Sequence, residues 1–259
     1  MVREKQKIPK KIHYCWFGRG EKPKKAIECI ESWKKYCSDY EFIEWNEDNF
    51  DINSNLYVKQ AYESKKYAFV TDYVRLYAMY NYGGIYMDTD VEVLKNLDSF
   101  LYNDAFSGFE LPHCIPTGIM ACKKGFELFG EFLEYYNDKS FILEDGSLDL
   151  TTNVTIMTNI VSKYGLKKDG SFQVINGFAL YPRDYFCPLD DATGRLFKTK
   201  NTATIHWFSK SWLDSKTVFR SKITKVFHRY FGVECFSWLK KILNKVLLTR
   251  YEKNDPRQD

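Results

Sequence analysis

The chain has 259 residues, 44% of them hydrophobic, 28% charged and 17% aromatic, with a net charge of +4. This places it among globular proteins long enough for one α/β domain with a full core, or at most a domain plus a small appendage. Seven cysteines without a Cys-x-x-Cys pair argue against a disulfide framework or a zinc site. Met1–Lys7 is polar with no apolar signal core, and no stretch reaches the length of a membrane span, so a cytoplasmic setting is expected.

Taken in chain order, Ile12–Phe17 is expected to be the first strand. Lys24–Tyr36 is expected to be a helix, because Ala26, Ile27, Ile30 and Trp33 recur at helical spacing. Tyr40–Trp45 reads as a second strand. This β-α-β opening, with a polar loop over Gly18–Lys22, predicts parallel strands and a nucleotide beyond their carboxyl ends, although no Gly-x-Gly-x-x-Gly is present. Helices are expected over 56–64 and 66–82. In the second, residues 68, 72, 75 and 79 share a stripe, which puts Asp72 and Arg75 on one face. Their plain alternative is a local ion pair.

Gly83-Gly84 stops that helix where positive φ is easily accommodated, and Ile85-Tyr86-Met87 is a short inner strand delivering Asp88 to its end. If the chain stays extended through Thr89, Asp88 and Asp90 point the same way and repel unless a cation or a shared proton relieves them. Mg²⁺ or Mn²⁺ is the expected relief. Strands are expected over 105–109 and 118–122, separated by a Pro112–Pro116 loop. Helices follow over 126–137 and 151–163, with Thr152 and Asn153 as N-cap candidates, and late strands over 178–181 and 202–206. Asp190-Asp191 before Thr193-Gly194 reads as a turn without chemistry.

Beyond Trp212, two apolar stripes lie opposite basic residues. Phe219, Ile223, Val226, Phe227 and Tyr230 face away from Arg220, Lys222, Lys225 and Arg229, and Phe236, Leu239, Ile242, Leu243, Val246 and Leu247 face away from Lys240, Lys241 and Lys245. Residues 216–252 hold nine Lys or Arg against two Glu, a net +7, so the remainder sums to −3. The expected division is a catalytic domain over 1–213 and a basic helical tail over 214–259. Either the tail packs on the domain or it contacts an anionic membrane surface. Nucleic acid is not expected as a partner, because the aromatics lie opposite the lysines rather than among them.

Asp72, Arg75, Gly83-Gly84, Tyr86 and Asp88-Thr89-Asp90 together resemble the sugar-binding region of Asp-x-Asp glycosyltransferases, specifically family 32. That family includes bacterial capsule and surface-polysaccharide transferases. Ile8–Gly18, with Trp16 after the first strand, resembles the family's opening strand and nucleotide loop. Thr204–Trp212 resembles its closing His-x4-Ser-Trp signature. The likeness covers about residues 8–213 in three motifs in the expected order.

It implies an open GT-A-type nucleotide-diphospho-sugar transferase fold, α/β, with a mixed, mostly parallel central sheet and C-terminal amphipathic helices. It also implies a metal-dependent, retaining hexosyltransferase with Mn²⁺ or Mg²⁺ as cofactor. The donor would be a sugar nucleotide, UDP-sugar preferred, and the acceptor a surface or capsular saccharide, in some cases lipid-linked. By the same likeness Asp88, Asp90 and Arg75 are the catalytic set and Asp88, Asp90 and His206 the metal ligands. Trp16, Asp72, Arg75, Asp88, Ser211 and Trp212 then bind the donor. The Pro112–Pro116 loop, by its place between the two strands, is a candidate to face the sugar. Trp16 reads equally well as a core residue, and Trp207 stands where many relatives carry a second His.

Two other functions share these features. An Asp-x-Asp strand also opens phosphatases that form an aspartyl-phosphate, but those want Thr or Val where this chain has Glu92. A non-catalytic, membrane-associated saccharide- or nucleotide-binding module is the other, and nothing in the residues argues for it. The expected location is the cytoplasm, peripheral on the inner face of the membrane.

Overall fold

Short β-rich runs alternate with amphipathic helices along the first two-thirds of the chain. A computed structural model describes residues 5–209 and 215–238. The chain divides into two units, residues 1–189 with 197–212, and residues 190–196 with 213–259.

The first unit opens with β1 (Lys11–Cys15), α1 (Lys24–Tyr36) and β2 (Glu41–Trp45), the two strands pairing in parallel from Lys11↔Glu41 to Cys15↔Trp45. α1 buries Ala26, Cys29, Ile30 and Trp33, whereas Ile27, expected on that stripe, is exposed and Cys29 takes its place. Then come α2 (Leu56–Glu63), α3 (Tyr67–Tyr82), β3 (Gly84–Met87), β4 (Val91–Val93), β5 (Ala105–Gly108) and β6 (Ile119–Cys122). After these lie α4 (Glu127–Glu134), α5 (Asn153–Ser162), β7 (Gln173–Ile175), β8 (Phe178–Tyr181), a single turn α6 (Arg183–Phe186) and β9 (Thr204–His206). β4, β7 and α6 were not expected, because Val91–Val93, Gln173–Ile175 and Arg183–Phe186 carry no apolar run of the length that marks Phe178–Tyr181.

The main sheet has seven strands in the order β2-β1-β3-β6-β5-β8-β7. Only β6 and β7 run against the other five, so the sheet is mixed and mostly of one direction. The carboxyl ends of β1, β3, β5 and β8 therefore share one edge. Successive residues of β3 serve opposite faces. Ile85 and Met87 enter a core with Trp33, Phe106 and Phe186, while Tyr86 enters a second core with Val74, Phe129 and Met157. β4 and β9 form a separate two-stranded antiparallel ladder, Val91↔His206 to Val93↔Thr204.

The entry to β3 is tightly packed. Gly83 and Gly84 adopt φ of +66° and +116°, and a Cβ on either would lie 2.5 Å from Lys124 N or 2.8 Å from Lys11 O. Both glycines are required twice over, by φ and by space. His13, fully buried in β1, braces the same corner. Its Nε2 lies 2.9 Å from Gly83 O, and the Trp45 indole donates to its Nδ1 at 3.1 Å. A carbonyl only accepts and an indole N–H only donates, so the ring is the neutral Nε2–H tautomer.

In the second unit the Asp190–Leu196 segment is a side-chain-braced turn, with Thr193 Oγ1 donating to Asp190 Oδ2. It receives α7 (Ser215–Phe231) through a Lys225–Asp191 ion pair of 2.8 Å and through Arg229, which donates to the carbonyls of Thr193 and Gly194. Two basic residues of α7 are thus held by this turn. Val226, Phe227, Tyr230 and Phe231 are exposed, as is Trp238 beyond the helix. The expected second stripe falls, from Leu239 onward, outside the described residues.

Burial holds the His13 pKa down at about 4, against a Gly83 hydrogen bond that favours the charged form. As pH falls, the unfolded chain takes up this proton first, near its ordinary value of about 6.5. Stability from His13 is therefore full above about pH 6.5, declines by about 3 kcal/mol down to pH 4, and levels off below. Urea unfolding followed by tryptophan fluorescence across that range should show the decline, and His13→Gln should remove this part of it.

Candidate metal centre

The helical period of α3 places Asp72 and Arg75 on one buried stripe, as expected, and Arg75 is the hub. Its Nη2 lies 3.3 Å from Asp72 Oδ1 and 3.4 Å from Asp88 Oδ1, and its Nη1 donates to Thr117 O at 3.0 Å. The guanidinium also stacks 4.8 Å from the centre of the Tyr86 ring, whose hydroxyl donates to Asp88 Oδ1 at 2.8 Å. The local ion pair and the contact to the motif carboxylate thus coexist. Burial works against the Arg75 charge, but Asp88, Tyr86 and Asp72 outweigh it and raise its pKa. Burial pushes the Asp72 carboxyl up to about 6, with Arg75 opposing.

The Asp88–Asp90 segment departs from expectation. It does not run extended through Thr89 but forms a tight turn, with Val91 N–H donating to Asp88 O at 3.0 Å. The turn is imposed from outside: Asp88 N–H is held by Gly118 O, and β4 must begin at Val91 to pair with β9. The same pairing carries His206 to Asp90, with Nε2 3.2 Å from Oδ1, and Ser209 N–H donates to Asp90 Oδ2 at 2.6 Å. Burial disfavours the Asp90 charge, yet His206 and Ser209 hold its carboxyl at about 2. Burial also disfavours charge on His206, and Asp90 overcomes this and raises its pKa.

Asp88, Asp90 and His206 each present one donor atom, all within 4.8 Å of one another. Among the described residues the His206 Nδ1 finds no hydrogen-bond partner of its own and lies buried against Cys187. Gly118 closes over the ring, because a Cβ there would lie 2.7 Å from Nδ1. Two carboxylate oxygens and one imidazole nitrogen, with the ring fixed in place, fit a divalent ion that accepts both oxygen and nitrogen ligands.

Trp16 lies just past β1 and is half-buried rather than in the core, with its indole donating to Gly20 O at 2.6 Å and Lys22 5.5 Å from its ring centre. Trp207 donates to Glu92 and stacks under Lys25 at 4.0 Å, so it takes no place beside His206. Ser211 and Trp212 lie outside the described residues. Neither Thr152 nor Asn153 makes the expected side-chain cap. Asn153 instead donates from Nδ2 to Asp72 O at 2.7 Å and from its backbone N–H to Asp72 Oδ2 at 3.4 Å, while Tyr136 donates to its Oδ1.

Sequence reasoning missed Asn153, Tyr136, Thr117 and Cys187, and it gave Tyr86 no contact with Asp88. One signal was available: Asn153 is a polar residue at a helix start whose neighbours Ile156 and Met157 are core residues.

Residues 23–107, about a third of the chain, match the family model described as glycosyltransferase sugar-binding region containing DXD motif. Inositol phosphoceramide mannosyltransferase 3 of Schizosaccharomyces pombe is 32% identical over 122 residues, covering 46% of this chain and 34% of that protein. Inositol phosphoceramide mannosyltransferase 2 of the same organism is 28% identical over 171 residues, covering 61% and 47%. The chain thus spans from a third to about half the length of these relatives. Among solved structures, the PaToxG glycosyltransferase aligns over 60% of this chain and 69% of that one, with a TM-score of 0.44 and 16% identity. A glycosyltransferase involved in glycosylation of the major capsid of PBCV-1 aligns over 84% and 100%, with a TM-score of 0.45 and 13% identity.

If His206 is one of three protein ligands, His206→Ala should weaken Mn²⁺ binding in isothermal titration by at least the roughly 10–100-fold that loss of a ligand's outer partner costs. An unchanged titration would leave His206 with only the task of holding Asp90.

Proposed function

We propose that this chain, a member of the Asp-x-Asp glycosyltransferases through residues 23–107, transfers a hexose from a sugar nucleotide to a saccharide acceptor, with Asp88, Asp90 and His206 holding a divalent metal. The observation that carries this is the convergence of those three donor atoms within 4.8 Å, one of them on a carboxylate already paired with the buried Arg75. The imidazole favours Mn²⁺ over Mg²⁺. When bound, the ion supplies Lewis-acid stabilisation to the diphosphate leaving group.

Arg75 fixes the Asp88 carboxylate and offers its guanidinium to donor sugar or diphosphate. Asp72, anchored by Asn153, is assigned to accept from sugar or ribose hydroxyls. Trp16 presents a half-exposed ring to the base at the carboxyl end of β1. Ser211 and Trp212 are assigned to the phosphate oxygens as donors. Transfer proceeds with retention, from a UDP-hexose to a surface or capsular saccharide. An aspartyl-phosphate reaction is disfavoured, because Asp88 Oδ1 is taken up by Tyr86 and faces Arg75.

A second reading of the donor comes from the two relatives, both of which are named inositol phosphoceramide mannosyltransferases. It replaces the UDP-hexose by a mannosyl nucleotide and the acceptor by a lipid-bearing one.

Among the described residues no helix is long and apolar enough to cross a membrane. We assign the second unit to peripheral contact on the inner face of an anionic membrane, because Ile223, Val226, Phe227, Tyr230 and Phe231 of α7 are exposed, as are Arg220 and Lys222.

Asp90→Asn should abolish turnover of a panel of UDP- and GDP-hexoses, monitored by nucleotide release with Mn²⁺, while circular dichroism stays native. Normal turnover by that variant sinks the assignment, and the preferred panel member decides between the two donors. Val226→Asp combined with Tyr230→Asp should reduce sedimentation with phosphatidylserine vesicles, and salt should weaken wild-type binding. Equal sedimentation of both proteins removes the membrane from the account.

A further inference from the structure

A cleft of about 400 Å³ opens among the loops that follow β5 and β8, within the range of about 300–1,000 Å³ usual for ligand sites. Two connections tie it to His206. The loop from β5 to β6 lines the cleft with Phe109 and Pro112 and ends at Gly118, which closes over the His206 ring. The segment after α6 lines it with Pro188, next in sequence to the Cys187 that touches His206. Gly170, with φ of +73°, packs 3.3 Å from Pro112 where a Cβ would stand, and so brings the 169–171 turn into the wall.

The chemistry of these walls is of two kinds. Phe197 projects its ring, 53% exposed, with Arg183 6.0 Å from the ring centre. Around it stand carboxylates already oriented by donors of the protein. Asp184 Oδ2 accepts from Thr199 Oγ1 and Asn201 Nδ2, and Asp169 Oδ1 accepts from Ser171 N–H and Oγ. The other oxygen of each carries no hydrogen bond among the described residues. An apolar ring face flanked by fixed, spare acceptors suits a ligand with C–H faces and O–H edges.

We propose that this cleft is the acceptor subsite and takes a hexopyranose, its C–H face on Phe197 and its hydroxyls on Asp169 and Asp184. The assignment rests on the transferase reading given above. In the transfer it serves, an acceptor hydroxyl oxygen bonds to the hexose C1. The bond from C1 to the nucleoside diphosphate breaks with its electron pair leaving on the diphosphate, and the hydroxyl proton passes to that same leaving oxygen.

The test uses the full chain and a panel of methyl glycosides of glucose, galactose and mannose as probes. Saturation-transfer NMR without donor should detect at least one glycoside on wild type, with affinity about tenfold weaker in Phe197→Ala, the scale of one lost stacking contact. With Mn²⁺ and the preferred sugar nucleotide, the ratio of transfer to hydrolysis should fall about tenfold in Phe197→Ala and in Asp169→Asn. Phe197→Trp should restore it. Donor hydrolysis by wild type, with glycoside use insensitive to these variants or absent for the whole panel, overturns the subsite alone. Glycoside binding without any hydrolysis or transfer overturns the acceptor role together with the transferase reading.

Discussion

A guanidinium buried among apolar residues must be paired, and Arg75 imposes that demand on three parts of the chain at once. It ties α3 through Asp72, the end of β3 through Asp88 and Tyr86, and the loop before β6 through Thr117. Removing one partner of such a group typically costs about 3–5 kcal/mol, so each segment is held at a fixed distance from the others. The acidic turn inherits its position from this constraint. Asp88 cannot swing toward solvent without abandoning a buried charge.

Asp90 is fixed by the β4–β9 ladder, through His206 and Ser209, rather than by the main sheet. The two carboxylates of one three-residue motif are thus governed by different structural systems, and they meet because the turn between them is tight. That division also explains why an extended Asp-x-Asp would fail here: it would break the register by which Val91 opposes His206.

The parts legible in the sequence are those governed by a local period. The stripe carrying Asp72 and Arg75, the double-glycine stop and the boundaries of α1 and β8 follow from spacing within one element. Ile27 shows the limit, since a period gives a stripe but not its width, and the residue lies past the edge of the sheet-facing side. Tyr86 was legible as a strand residue, while the reach of its hydroxyl to Asp88 depends on how the strand meets the turn. Asn153 and Cys187 depend on partners far away in the chain, Asp72 and His206, which no local spacing encodes. His206 itself was singled out only through the likeness of the Thr204–Trp212 segment to a known family.

The ladder that brings β9 to β4 joins positions more than a hundred residues apart, with Glu92 meeting Trp207 across 115 and Asp90 meeting Ser209 across 119. Such contacts bear the largest loop-closure entropy and form after the nearer ones. During synthesis the strands from β1 to β8 can assemble while the last donor has yet to leave the ribosome. A nascent or truncated chain therefore carries both carboxylates without the imidazole, and the three-atom cluster is complete only when nearly the whole first unit has been made.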